Sequence, residues 1–164
     1  MYIDISYNIS GDIMEPPQKK GIKLIILDIL KNEKLHGYGI AEKIEKIYGI
    51  DKPGSGIIYT TLSNLRKKGM IRVCGEGRRE KKIYTITERG MDYLKDHGSD
   101  LEKAQRMLKN LGEFYRIGGK EALEAVGKII RVMHELTPEE IKRVEDILKD
   151  FRHKLEDLTG EIDE

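Results

Sequence analysis

The chain has 164 residues, 36% charged and 38% hydrophobic, with a net charge of +1, which suits one domain or one domain with an appendage and lies short of a disordered composition. No apolar run approaches the roughly 20 residues of a membrane span, and the first twenty residues lack the basic-then-apolar order of a signal peptide. The single cysteine, Cys74, excludes an intramolecular disulfide and a Cys-rich zinc site, so a cytoplasmic location is expected.

Residues 2–9 alternate, with Ile3, Ile5, Tyr7 and Ile9 against Asp4, Ser6 and Asn8, which predicts a strand over 2–9, broken by EPPQKK, within an N-terminal arm over 1–18. From 19 to 31 the pattern is helical and largely buried. Ile22, Ile25, Ile26, Ile29 and Leu30 share a face that Leu24 and Leu27 widen. After the polar break NEKLHG, the spacing of Ile40, Ile44, Ile47 and Tyr48 predicts a second amphipathic helix, with Gly49 as its C-cap. His36, beside Gly37 and Tyr38, leads into it.

KPGSG is a turn, and Ser55 is placed to cap a third helix. Its inward face is Ile58, Leu62 and Leu65. At 100° per residue the opposite face is Gly56, Thr60, Ser63, Asn64 and Lys67, with Ile57 and Tyr59 on the flanks. Gly69 ends the helix. MIRVC and KKIYTIT then read as two short strands around a hairpin tip, GEGRRE. Thr87 opens a further helix with Met91 and Leu94.

The last third is helical. Ser99 to Glu102 and Thr137 to Glu140 both have capping-box spacing, the second with proline at the first helical position. Leu101, Ala104, Leu108, Leu111 and Tyr115 form one stripe. After an IGGKE turn, Val126, Ile129, Ile130 and Met133 form another. Ile141, Val144, Leu148, Phe151, Leu155 and Leu158 alternate by three and four over more than two heptads. So small a body cannot cover all these stripes, which predicts a dimer interface. The alternative is that they pack back on the rest of a monomer.

Three short helices followed by a hairpin make a winged helix-turn-helix. The expected fold is mainly α (α+β): an arm over 1–18, a winged-helix domain over 19–97 and a helical dimerisation region over 98–164. Charge divides along the same lines. From 51 to 89, ten bases against four acids leave +6; from 99 to 164, twelve bases against sixteen acids leave −4. A basic module joined to an acidic one points to a polyanion as partner of the first.

A helix of this diameter fits a DNA major groove, and short polar side chains on it reach base edges. Gly56, Thr60, Ser63 and Asn64 suit that role, with Asn64 able to pair with adenine through two hydrogen bonds. Ser55, Tyr59 and Lys67 suit phosphates, which position without reading sequence. Tyr59 could instead pack beside Leu62 or the wing. Arg78, Arg79, Lys81 and Lys82 lie on the wing, where a winged helix meets backbone or minor groove, and Gly75 and Gly77 let its tip bend.

Other signals are sparse. His36, His97, His134 and His153 lack metal-ligand spacing. Cys74 reads as an inert strand thiol rather than a redox sensor. No nucleophile, acid–base pair or phosphate loop is visible, so neither an enzyme nor a cofactor is expected. A protein–protein module and a non-specific architectural DNA binder are the rival readings.

The helix HGYGIAEKI, the segment SGIIYTTLSNLRKKGMI and the wing end YTITERG together resemble the PadR family of transcriptional regulators, over about residues 20–94. The resemblance implies a dimeric repressor of pseudo-palindromic operators, with Ser55, Gly56, Tyr59 and the wing on DNA. It also implies a C-terminal dimerisation helix and, in some members, a small hydrophobic or aromatic effector. Thr60 stands where many members have proline, and Arg66 makes the helix end more basic than in most. No tryptophan is present to line a drug cavity at the dimer interface.

Overall fold

The computed structural model describes residues 17–77 and 81–160. The strand expected over 2–9 and the wing cations Arg78 and Arg79 lie outside the described residues. Packing divides the chain into two units, up to Ala122 and from Leu123 onward.

The first unit runs α1 (Pro17–Asn32), β1 (Leu35–His36), α2 (Gly37–Tyr48), α3 (Ser55–Lys67), β2 (Ile71–Gly77), β3 (Lys81–Ile86), α4 (Glu88–Asp96) and α5 (Gly98–Arg116), then the first turn of α6 (Gly119–Val132). Seven of the nine residues from Ile22 to Leu30 are apolar. A helix so apolar on nearly every side is stable only when surrounded. Accordingly α1 packs against α2, α3, α4, α5 and β3. Leu24, Ile25, Ile26, Leu27 and Leu30 meet Ile40 and Ile44 of α2, Ile58, Leu62 and Leu65 of α3, and Ile71 of β2, all essentially fully buried. Each such side chain contributes about 1.5–3 kcal/mol on leaving water.

The sheet is antiparallel, in the order β1-β3-β2. Leu35 pairs with Tyr84, and Ile71 and Val73 pair with Ile86 and Tyr84. The register slips by one between Val73 and Gly75. Cys74 is therefore the extra residue of a β-bulge, and its thiol donates to the Ile83 carbonyl at 3.6 Å. β1 falls within the stretch read from sequence as a polar break.

The helix ends explain the tight turns. His36 caps α2, its Nδ1 accepting from the Gly39 N–H at 2.8 Å. Gly49 ends α2 at φ 67°, and Gly69 follows α3 at φ 68°, both in the left-handed region that glycine enters without a Cβ penalty. Thr87 caps α4, accepting from the Gly90 N–H at 3.1 Å and donating to the Gly69 carbonyl at 2.7 Å.

Two caps differ from the sequence expectation. Gly54, not Ser55, is the N-cap of α3; Ser55 is already helical and makes no capping bond. Helix α5 begins at Gly98, with His97 before it and no side-chain cap, so Ser99 lies inside the first turn. The His97 ring stacks on Tyr93 at 4.0 Å, its Nδ1 lies 2.8 Å from the Tyr93 carbonyl, and the Leu101 N–H reaches the His97 carbonyl at 2.9 Å. Those contacts start the helix early. The α5 stripe differs as well. Leu101, Ala104 and Leu108 pack on the core of their own unit instead of remaining for a partner.

In the second unit, α6 gives way to a 3-10 turn, Met133–Glu135, and then to α7 (Pro138–Gly160). The capping box at its start forms. The Thr137 N–H donates to the Glu140 carboxylate at 2.9 Å and the Glu140 N–H returns to the Thr137 hydroxyl at 3.3 Å. The Thr137 N–H and hydroxyl, both donating to it, hold the Glu140 carboxyl below its usual range. Over the 23 residues of α7, roughly 35 Å of helix, Ile141, Leu148, Phe151, Leu155 and Leu158 are exposed and Val144 is half-buried. Ile147, outside the 3-4 stripe, is the most exposed apolar side chain of α7, at 67%.

Candidate nucleic-acid interface

Helix α3 divides sharply by face. Ile58, Leu62 and Leu65 are 0–1% exposed, and they fix the rotation of the helix on the core. Ser55, Gly56, Tyr59, Thr60, Ser63, Asn64 and Lys67 are all exposed. The side chains of Thr60, Ser63 and Asn64 make no hydrogen bond among the described residues, whereas Thr61, toward the buried side, is tied to the Ile57 carbonyl at 2.8 Å. Arg66 and Lys67 occupy the last turn, where a cation also complements the helix dipole.

Among the described residues Gly56 has no steric reason to be glycine. A Cβ there would meet nothing within 4 Å. Tyr59 is half exposed, but its ring is not free. Its atoms lie 2.7–3.1 Å from where a Cβ on Gly37 would sit. It packs on the start of α2, which neither sequence reading of Tyr59 anticipated. The Gly37 of HGYG is thus a site of close approach.

The wing cations Lys81 and Lys82 are exposed at the start of β3, paired in register with Gly77 and Glu76. The Lys81 ammonium lies 5.5 Å from the centre of the Tyr38 ring. On the same ring Lys52 sits at 4.4 Å and donates to the phenol oxygen at 3.1 Å. Glu45 and Glu42 approach Lys52 at 3.6 and 3.8 Å. The bond to Tyr38 chiefly, then these carboxylates, hold the Lys52 ammonium above the usual lysine range. Tyr38 and Lys52 were missed in the sequence; the only hint is a tyrosine set between two glycines in the first turn of a helix. Among the described residues no group of three or more His, Cys, Asp or Glu is placed to hold a metal ion, and no helix is long and apolar enough to cross a membrane.

Residues 26–96, from the middle of α1 through α4, match the family model described as "Transcriptional regulator PadR-like family". The "Transcriptional regulator YqjI" of Escherichia coli is 33% identical over 89 residues, 54% of this chain and 42% of that protein, so the chain spans less than half the length of this curated relative. Among solved structures, a PadR-like transcriptional regulator from Bacillus cereus is similar at 25% identity, over 57% of this chain and 92% of that one, with a TM-score of 0.46. The Bacillus subtilis PadR, solved in complex with operator DNA, is 33% identical over 46% of each chain, with a TM-score of 0.40. The resemblance in HGYGIAEKI, SGIIYTTLSNLRKKGMI and YTITERG is borne out over residues 26–96, which match the model of the PadR-like family of transcriptional regulators.

Proposed function

We propose that the protein is a sequence-specific DNA-binding transcriptional regulator, a homodimer that acts as a repressor. The observation that carries this reading is the α3 surface, where Gly56, Thr60, Ser63 and Asn64 form an exposed polar strip uncommitted among the described residues, opposite a fully buried Ile58, Leu62 and Leu65. Such a strip matches the donor and acceptor edges of a major groove. Lys67 at its end and Lys81 and Lys82 on the wing would neutralise phosphates. Two copies of α3 enter successive major grooves about 34 Å apart, with the α7 stripes fixing that spacing. A small hydrophobic or aromatic effector would act by changing it.

Gly56 supplies a test that separates binding from folding. A side chain at this position in the first turn of α3 would stand between the helix and the DNA. Gly56→Ala is expected to leave stability unchanged or raise it by up to about 1 kcal/mol, since alanine is the better helix former. It should weaken DNA binding about tenfold. Thermal unfolding and fluorescence anisotropy on duplex DNA from upstream of the gene check the two halves. Undiminished affinity would remove α3 from the interface.

The α7 stripe supports the dimer. Leu148→Glu together with Leu155→Glu should convert the protein to monomers in sedimentation velocity, because a dimer seam would then bury four carboxylates. Dimers that persist would place the interface elsewhere.

A further inference from the structure

We propose that Tyr38 is a phosphate-binding residue of the DNA interface, oriented by Lys52 and completed by Lys81; the proposal rests on the DNA-binding reading given above. An ammonium only donates. The bond from Lys52 to the phenol oxygen at 3.1 Å therefore uses Tyr38 as acceptor and leaves its own O–H to donate. That O–H has no partner among the described residues, and Tyr38 is 48% exposed. Lys52 is committed to Tyr38, Glu45 and Glu42, so it positions the phenol and does not itself meet DNA. Lys81 is held by no carboxylate among the described residues and reaches the same ring from the wing at 5.5 Å. A neutral donor beside a free cation suits a singly charged phosphodiester oxygen.

The location supports DNA as the source of that phosphate. Tyr38 follows Gly37, on which the Tyr59 ring of α3 rests. One surface therefore runs from the recognition helix across Tyr59 and Tyr38 to Lys81 of the wing. A backbone that lies on α3 and on the wing passes over Tyr38 between them.

Tyr38→Phe in the full chain keeps the ring and both cation–ring contacts and removes the hydroxyl, both the free donor and the acceptor of the Lys52 bond. Anisotropy on the upstream duplex and on a random duplex of equal length should show about tenfold weaker binding to both. The slope against salt should not change, because a neutral donor releases no counterion. Lys81→Gln should make it shallower by about one. Lys52→Met should weaken binding, and Lys52→Met with Tyr38→Phe should be no weaker than the weaker of the two single variants, the signature of one residue acting through the other. Wild-type affinity in Tyr38→Phe, or a loss confined to the upstream duplex, would overturn the phosphate assignment. Failure of the wild-type protein to bind either duplex would instead remove the DNA reading on which it stands.

Discussion

Replacing Gly112 with alanine is expected to destabilise the first unit by about 3 kcal/mol, the upper range for forcing atoms into a packed interior. Gly112 is buried in the last quarter or so of α5. A Cβ on it would fall 1.8 Å from the Tyr48 carbonyl oxygen and 3.0 Å from its carbon. Neither is a side-chain atom that can swing away. The carbonyl belongs to the last residue of α2, and the next residue, Gly49, is fixed at φ 67° by its cap bond to Glu45. Relief therefore requires α5 to move off α2, which would drag Leu101, Ala104 and Leu108 away from the core. The unfolding temperature should fall by about 10 °C for a chain of this size. Gly98→Ala is the control. It lies in the same helix with nothing within 4 Å of its Cβ, and its unfolding temperature should stay level or rise slightly. If Gly112→Ala unfolds with the wild type, α5 does not approach α2 as described.

The second large effect is on binding. Changing Arg78, Arg79, Lys81 and Lys82 together to glutamine should reduce affinity for duplex DNA by about three orders of magnitude. The salt dependence should become shallower by about 3 to 4 in log–log slope, near 0.9 for each phosphate that is no longer neutralised. Lys81 and Lys82 are exposed and carry no core packing, so the fold should survive with an unchanged circular dichroism spectrum. Anisotropy across a salt series reads both quantities. An unchanged slope would mean that the wing does not meet DNA and would turn the reading toward a protein partner.

How much of this was legible in the sequence differs by element. The inward triad Ile58, Leu62 and Leu65 and the near-continuous apolar run of α1 were readable because burial follows helical period directly. Gly49 and Gly69 were readable because a left-handed residue after a helix is a local demand. The Thr137 box likewise closes within four residues. Strand β1 was not readable. It is two residues long and exists through pairing with β3, some fifty residues on. The bulge at Cys74 is also a property of a pair of strands, not of one. Ser55 and Ser99 have capping chemistry, but neighbouring turns set the helix starts one or two residues earlier. Periodicity identified the stripe on α5 but not what covers it, which is the core of its own unit.

The candidate site follows the same division. Gly56, Thr60, Ser63, Asn64 and Lys67 share one helix, so a count of 100° per residue sufficed to bring them together. Tyr38, Lys52 and Lys81 come from three parts of the chain, and only the fold places both ammonium groups on one ring. Gly112 has room for nothing else, Gly37 has room only if the Tyr59 ring moves aside, and Gly56 has room to spare among the described residues. A sequence shows all three alike.

The most direct test of the account is fluorescence anisotropy of the wild-type protein on labelled DNA from upstream of its gene. A random duplex of equal length would be measured beside it, both across a salt series. The account predicts tight binding to the upstream fragment, about a thousandfold tighter than to the random duplex, and a steep loss with salt. Equal and weak binding to both duplexes, or none at low salt, would contradict it.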